Sequence, residues 1–224
     1  MSSKLKLLYW ELYNKCRRFL DPFPHTNYMK KNKFLFIHIP KTAGTSVLNA
    51  LSIHFRQHYD FRVYRAPEPK LFSQSFKFCF VRNPYSRMIS TYRYLTQEKG
   101  QKTDAYIKQL ISDKHMSFDD FVEYFCARGY GEFHPLFKTQ SCYIYDVDLK
   151  CKVDFVGRFE NLDDDFKFIC SVIGKKQSLE RVNVSKKRPS DVVLTKKIAD
   201  MIYDFYKLDF ELLDYDKDSW QLVR

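Results

Sequence analysis

Apolar positions along this chain gather into short runs separated by stretches of helical period. Phe34-Leu-Phe-Ile-His-Ile39 is an apolar run with aromatic and β-branched members, which predicts a buried strand. Pro40 ends it, because proline has no N–H to give to a ladder. Past a short turn with one glycine, Gly44, the residues Val47, Leu48, Leu51 and Phe55 recur at helical spacing. Tyr59–Arg65 alternates enough to predict a second strand, closed by Ala66-Pro-Glu-Pro69. Phe76–Val81 predicts a third, apolar throughout as strands covered on both faces are. Asn83 suits an N-cap and Pro84 a first helical position, with Met88, Ile89, Tyr92 and Leu95 as the stripe that follows. Two helices are expected over 103–127, the second capped by Ser117. A short strand, a turn and a helix follow from Val153, ended by Gly174, and one closing helix falls within 192–215. Strands alternating with helices predict a three-layer α/β fold with a central, mainly parallel sheet flanked by helices.

The 224 residues suit one domain with a sizeable core, and 45% hydrophobic content with 21 Phe and 16 Tyr makes that core aromatic. Residues 1–20 interleave Leu5, Leu8, Leu12 and Phe19 with Lys4, Lys6, Lys15, Arg17 and Arg18. They predict a basic amphipathic helix, which would suit packing on the domain or peripheral contact with a membrane surface. We therefore divide the chain into a lead-in, 1–33, and one domain, 34–224. The net charge of +11 favours anionic partners without choosing among them. No apolar run reaches the roughly 18–20 residues of a membrane span. None of the six cysteines forms a Cys-x-x-Cys pair; Cys142 and Cys151 could bridge a loop, but the lack of a secretory signal favours reduced thiols.

The chemistry concentrates where strands end. Pro40-Lys-Thr-Ala-Gly-Thr-Ser46 joins the first strand to a helix, so backbone N–H groups and the helix dipole face a spot also lined by Lys41 and the hydroxyls of Thr42, Thr45 and Ser46. A phosphate or sulfate is the ligand such a loop suits. It is P-loop-like but not a Walker A loop, since Lys41 precedes the glycine rather than following it. The third strand ends in Arg82, just before a helix N-terminus, and Ser90 lies eight residues on. An arginine there suits bidentate phosphate binding.

These two motifs, in this order, resemble the 5′-phosphosulfate and 3′-phosphate motifs of sulfotransferases that use 3′-phosphoadenosine-5′-phosphosulfate (PAPS). His134-Pro-Leu-Phe-Lys-Thr-Gln140 and Asp154-Phe-Val-Gly-Arg-Phe-Glu-Asn-Leu162 are similar to the carbohydrate branch of that family. The resemblance implies sulfuryl transfer from PAPS to a hydroxyl of a saccharide or glycan, leaving 3′,5′-adenosine bisphosphate, with neither a metal nor nucleic acid involved. It implies that Lys41, Thr42, Ala43, Gly44, Thr45 and Ser46 hold the 5′-phosphosulfate. Arg82 and Ser90 would hold the 3′-phosphate, and Lys186 and Arg188, with Asn183 and Ser185, would cover the nucleotide. Lys41 would neutralise the leaving group. Relatives often supply a histidine base before the arginine motif; residues 61–81 hold none, so Glu68, the acidic residue there, is the first choice and His134 the second. Arg158 and Glu160 are expected to form an ion pair that shapes the site. Animal relatives usually carry an N-terminal membrane helix, which is not found here, and a cytoplasmic protein is expected. The competing readings are a P-loop-like kinase using ATP and a non-catalytic binder of acidic glycan or nucleic acid.

Overall fold

A computed structural model describes residues 24–53, 57–97, 104–127, 134–179 and 192–223. The N-terminal basic helix and the segment with Asn183, Ser185, Lys186 and Arg188 lie outside the described residues. Three strands, β1 (Phe34–Ile37), β2 (Phe76–Val81) and β3 (Phe155–Arg158), form a parallel sheet in the order β1-β2-β3. Phe36 stands beside Phe78, and Phe78 beside Phe155. Every residue of β1 and all but the first of β2 are buried, as a sheet covered on both faces requires.

Before the sheet's two long crossings, α1 (Asn27–Asn32) leads into β1, capped by the Thr26 hydroxyl, which accepts from the Met29 N–H at 3.2 Å. Between β1 and β2 come α2 (Gly44–Ala50), α3 (Phe61–Arg65) and α4 (Pro69–Gln74). Between β2 and β3 come α5 (Pro84–Leu95), α6 (Ala105–Asp113), α7 (Phe118–Ala127) and α8 (Ser141–Ile144). A 3-10 turn (Phe159–Asn161), α9 (Leu162–Val172), α10 (Lys196–Phe205), α11 (Lys207–Leu212) and a last 3-10 stretch (Lys217–Leu222) follow β3.

The α/β class and the parallel sheet agree with the sequence; the three-layer description holds only in part. One core packs Val47 and Leu48 of α2, Phe61 and Tyr64 of α3, and Phe166 and Ile169 of α9 on the sheet. A second core is helix on helix: Met88 and Ile89 of α5, Ile107 of α6, Phe121 and Phe125 of α7, and Ile198 and Ile202 of α10. It has no strand among the described residues, so α5–α7 and α10 form a lobe beside the sheet rather than a layer over it.

Two local expectations change. Tyr59–Arg65 is not a strand. Asp60 caps a helix there by accepting from the Arg62 N–H at 2.9 Å, and Phe61 and Tyr64, three apart, share its buried face. The closing helix breaks at Tyr206 into α10 and α11, which turns Asp209 fully inward.

Gly157 stands beside Phe80 in the β2–β3 register, and a Cβ there would lie 2.6 Å from the Phe80 ring. Phe80 is itself fully buried. Gly157→Ala should therefore cost about 1–3 kcal/mol by overpacking. It would appear as a lower urea midpoint at unchanged slope, and an unmoved midpoint would mean that the Phe80 ring gives way freely.

Candidate functional site

Topology places the first anion-binding candidate at the carboxyl end of β1 and the second at the carboxyl end of its neighbour β2. In the first loop Lys41 (φ 69°) and Ala43 (φ 67°) are both left-handed, a conformation costly for residues with a Cβ and concentrated at functional turns. The fully buried Thr42 closes the turn by donating its hydroxyl to the Ile39 carbonyl at 2.9 Å. Gly44 opens α2, with Thr45 and Ser46 half-buried in its first turn. Glycine is required at 44 by contact: a Cβ there would sit 2.0 Å from the His38 imidazole. That ring stacks on Phe36 and lies 4.2 Å from the ring of His58, whose Nδ1 is 3.0 Å from the His38 carbonyl.

Arg82 comes from the second strand end. Its neighbour Asn83 caps α5, accepting from the N–H groups of Tyr85 at 3.0 Å and Ser86 at 3.4 Å. The Arg82 guanidinium donates to the Ser86 hydroxyl at 2.9 Å and to the Lys41 carbonyl at 3.4 Å, and lies 4.0 Å from the centre of the Phe159 ring. Ser86 rather than Ser90 receives the Arg82 guanidinium, and Ser90 stands half-buried one turn beyond it. The backbone of Arg82 is clamped by the Gln140 side chain, which accepts its N–H and donates to its carbonyl, both at 2.8 Å. Gln140 is held in turn by Asp209, whose two oxygens accept the N–H groups of Gln140 and Ser141 at 2.8 Å.

Arg87, one turn into α5, is fully buried. It donates to the Pro40 carbonyl at 3.1 Å and the Lys138 carbonyl at 2.9 Å, while its Nη1 has no partner. An unpartnered guanidinium nitrogen beneath the loop, with Lys41 and Arg82 nearby, is a donor set that fits a polyanion. Burial, reinforced by Arg82, lowers the Lys41 pKa to about 8. Burial likewise lowers that of Arg82 to about 10, against the opposing pull of Glu160.

The Lys41 ammonium rests 4.3 Å from the centre of the Tyr94 ring, in the last turn of α5. The Tyr94 hydroxyl donates to Asp104 at 2.6 Å, and the other Asp104 oxygen lies 3.4 Å from His134 Nε2. His134 Nδ1 accepts the Leu136 N–H at 3.3 Å. Burial lowers the pKa of His134 and of His58. Lys41 and Arg82 are thus brought together, and His134 is joined to Lys41 only by way of Asp104 and Tyr94. Glu68 is not: its carboxylate is 2.6 Å from Lys30 Nζ, in the helix that enters β1 at its amino end. Arg158 and Glu160 do not pair. Glu160 accepts from the Asn83 N–H at 2.8 Å and the Tyr215 hydroxyl at 3.1 Å, and Arg158 donates to the Leu213 carbonyl at 2.7 Å. Cys142 and Cys151 are free thiols.

Tyr94, Asp104 and Asp209 escaped the sequence, and Gln140 stood there only as the end of a quoted segment, since the partners that give them a role lie from 10 to 69 positions away. Arg87 carries no local signal that separates a buried guanidinium from an exposed one, and only the fold places it inside.

The chain is 26% identical to carbohydrate sulfotransferase 11 of Danio rerio over 64% of this chain and 48% of that protein. It is 27% identical to carbohydrate sulfotransferase 9 of Homo sapiens over 83% and 52%. An uncharacterised protein of Archaeoglobus fulgidus is 29% identical over 52% of this chain and 82% of its own length. No solved structure matches. The chain spans about half the length of the two carbohydrate sulfotransferases. The expected cytoplasmic location does not stand: the relatives are named carbohydrate sulfotransferases, and that no described helix is long and apolar enough to cross a membrane does not place the chain in the cytoplasm. A family model described as the sulfotransferase family matches residues 24–216, from α1 past α11, and the chain belongs to that family.

Proposed function

We propose that residues 34–224 act as one domain that moves the sulfuryl group of PAPS to a hydroxyl of a saccharide or glycan by in-line transfer. The observation that carries this reading is the link between the two strand ends, the bond from the Arg82 guanidinium to the Lys41 carbonyl at 3.4 Å. It supports one nucleotide spanning both motifs. When bound, PAPS supplies an activated sulfuryl group on its 5′-phosphate. The loop of Lys41, Thr42, Ala43, Gly44, Thr45 and Ser46 holds that phosphate, with backbone N–H groups at the start of α2 and the Lys41 ammonium offsetting charge as it develops. Arg82 holds the 3′-phosphate, with Ser90 or the nearer Ser86 beside it; Lys186 and Arg188 would cover the nucleotide. The names of the curated relatives support a carbohydrate acceptor.

His134 takes the acceptor's proton. Asp104 facing Nε2 favours the tautomer with the proton there and leaves the lone pair on Nδ1, held by one long bond from Leu136. Its lowered pKa keeps the ring neutral at pH 7 and able to accept. Glu68, the other candidate, anchors α1 through Lys30.

Transfer of ³⁵S from labelled PAPS across a panel of glycans tests the reading directly. Turnover without Mg²⁺, with stabilisation by adenosine bisphosphate, supports it; a requirement for Mg-ATP sinks it. Lys41→Ala should cut kcat by about 10²–10³-fold while the melting temperature holds. Arg82→Ala should weaken adenosine bisphosphate binding by about 10–100-fold, the scale of a charge-assisted bond. Since Lys41 acts as a cation with its pKa lowered to about 8, kcat/KM should fall as pH rises through about 8. Lys41→Arg should remove that alkaline limb. His134→Gln should lower kcat by about 10²-fold or more, whereas Glu68→Gln should leave it within about twofold; the reverse ranking would return the base to Glu68.

A further inference from the structure

We propose that Asp104 is the residue that keeps the Lys41 ammonium charged and in place, working through Tyr94, and so sets the pH range over which the loop can neutralise an anion. Its consequence for turnover rests on the sulfuryl-transfer reading; its electrostatic content does not.

Asp104 occupies the N-cap position of α6, yet its side chain makes no capping bond. An aspartate there ordinarily turns an oxygen to the first N–H groups of its own helix. This carboxylate is turned instead to the Tyr94 hydroxyl and to His134 Nε2. Asp104 is 5% exposed, and a buried carboxylate persists only when its partners are in place. Tyr94 is the link to the loop. Its ring receives the Lys41 ammonium at 4.3 Å and the Lys108 ammonium at 5.1 Å, so the plane that Asp104 fixes by holding the hydroxyl is the plane on which Lys41 rests.

The charges that act on Lys41 come from three places. Arg82 at the end of β2, Arg87 in α5 and Lys108 in α6 are all positive and all push its pKa down; Asp104 pushes it up and is the one anion among these. His58, beside His38, feels the same field with its own pKa lowered by burial, so the neutral ring adds no further positive charge. Without Asp104, three cations and burial would act on the ammonium unopposed.

The test reads Lys41 itself. Acetylation by acetic anhydride, followed at the Lys41 peptide by mass spectrometry from about pH 6 to about pH 10 on the nucleotide-free protein, gives a midpoint expected near about 8 in the parent chain. Asp104→Asn keeps the shape of the side chain and loses the charge; its midpoint should fall by about one pH unit. Asp104→Glu should restore most of the difference. In the transfer assay the alkaline limb of kcat/KM should move down by the same amount, with adenosine bisphosphate affinity at about pH 6.5 changed by less than about threefold. If Asp104→Asn does not fold, Tyr94→Phe serves: the ring loses its tether, and acetylation below the midpoint should quicken by about threefold. A midpoint that stays put in folded Asp104→Asn, or acetylation of Tyr94→Phe at the parent rate, overturns the proposal. Normal transfer with an unmoved midpoint removes the role of Asp104 alone. A moved midpoint in a protein that neither binds adenosine bisphosphate nor sulfates any acceptor removes the transferase reading and leaves Asp104 in its role.

Discussion

Three positive side chains, Lys41, Arg82 and Arg87, meet at the carboxyl ends of two adjacent parallel strands, and the rest of the structure is arranged to hold them there against their own repulsion. The cost is visible in the titration of two of them: burial lowers Lys41 to about 8 and Arg82 to about 10. Counter-charge is sparse. Glu160 pulls on Arg82, Asp104 on Lys41, and the buried Asp209 interacts with Arg87. The remaining restraint is neutral. Backbone carbonyls of Lys41, Pro40 and Lys138 accept from the two guanidinium groups, and the Gln140 side chain grips Arg82 as a neighbouring strand would. Carbonyl dipoles order a cation without cancelling it, so positive potential remains for an anion.

That arrangement explains why the fold has two cores. The sheet core sets the strand ends side by side, which parallel pairing with Phe36 beside Phe78 does within the spacing of neighbouring strands. A sheet alone would leave Lys41 and Arg82 facing solvent on one side. The helical lobe closes that side: α5 starts two residues after Arg82 and carries Arg87 beneath the loop and Tyr94 beside Lys41. The break at Tyr206 that separates α10 from α11 has the same purpose, since it turns Asp209 in to hold Gln140, and Gln140 in turn holds Arg82. The carboxyl-terminal helices therefore act on the site from behind, through Gln140 and through Arg87, whose guanidinium lies 5.6 Å from the centre of the Tyr206 ring.

What could be read from residue order was local. Strands β1 and β2, the loop between Pro40 and Ser46, the Asn83 cap and the Ser117–Asp120 capping pair all declare themselves within a few residues, because apolar runs, proline and capping side chains act over that range. The segment at 59–65 was misread since alternation over seven residues also fits two turns of helix, and the Asp60 cap that decides between them weighs less than the pattern. Gly44 announced a tight turn, but that the His38 ring fills the space beside it follows only from how the loop folds back on β1. The carboxylates were hardest, because a buried acid draws its meaning from groups scores of residues away: Gln140 lies 69 positions from Asp209.

Glu68 and Asp104 show why proximity in sequence misleads about chemistry in this fold. Glu68 stands eight residues before β2, yet a chain returning to a parallel strand must first travel back to the amino end of the sheet. A residue in the return leg is therefore carried away from the carboxyl-end site, and Glu68 pairs with Lys30, which precedes β1. Asp104 follows β2 by more than twenty residues, but it follows α5, a helix that begins at the site and whose far end reaches only to Tyr94. Because α5 enters the helical lobe instead of running back along the sheet, Asp104 stays near the strand end that α5 left. In this fold the acids placed to work beside the Lys41 loop are thus those at the edge of the helical lobe, such as Asp104, and not those in the return leg to β2, such as Glu68.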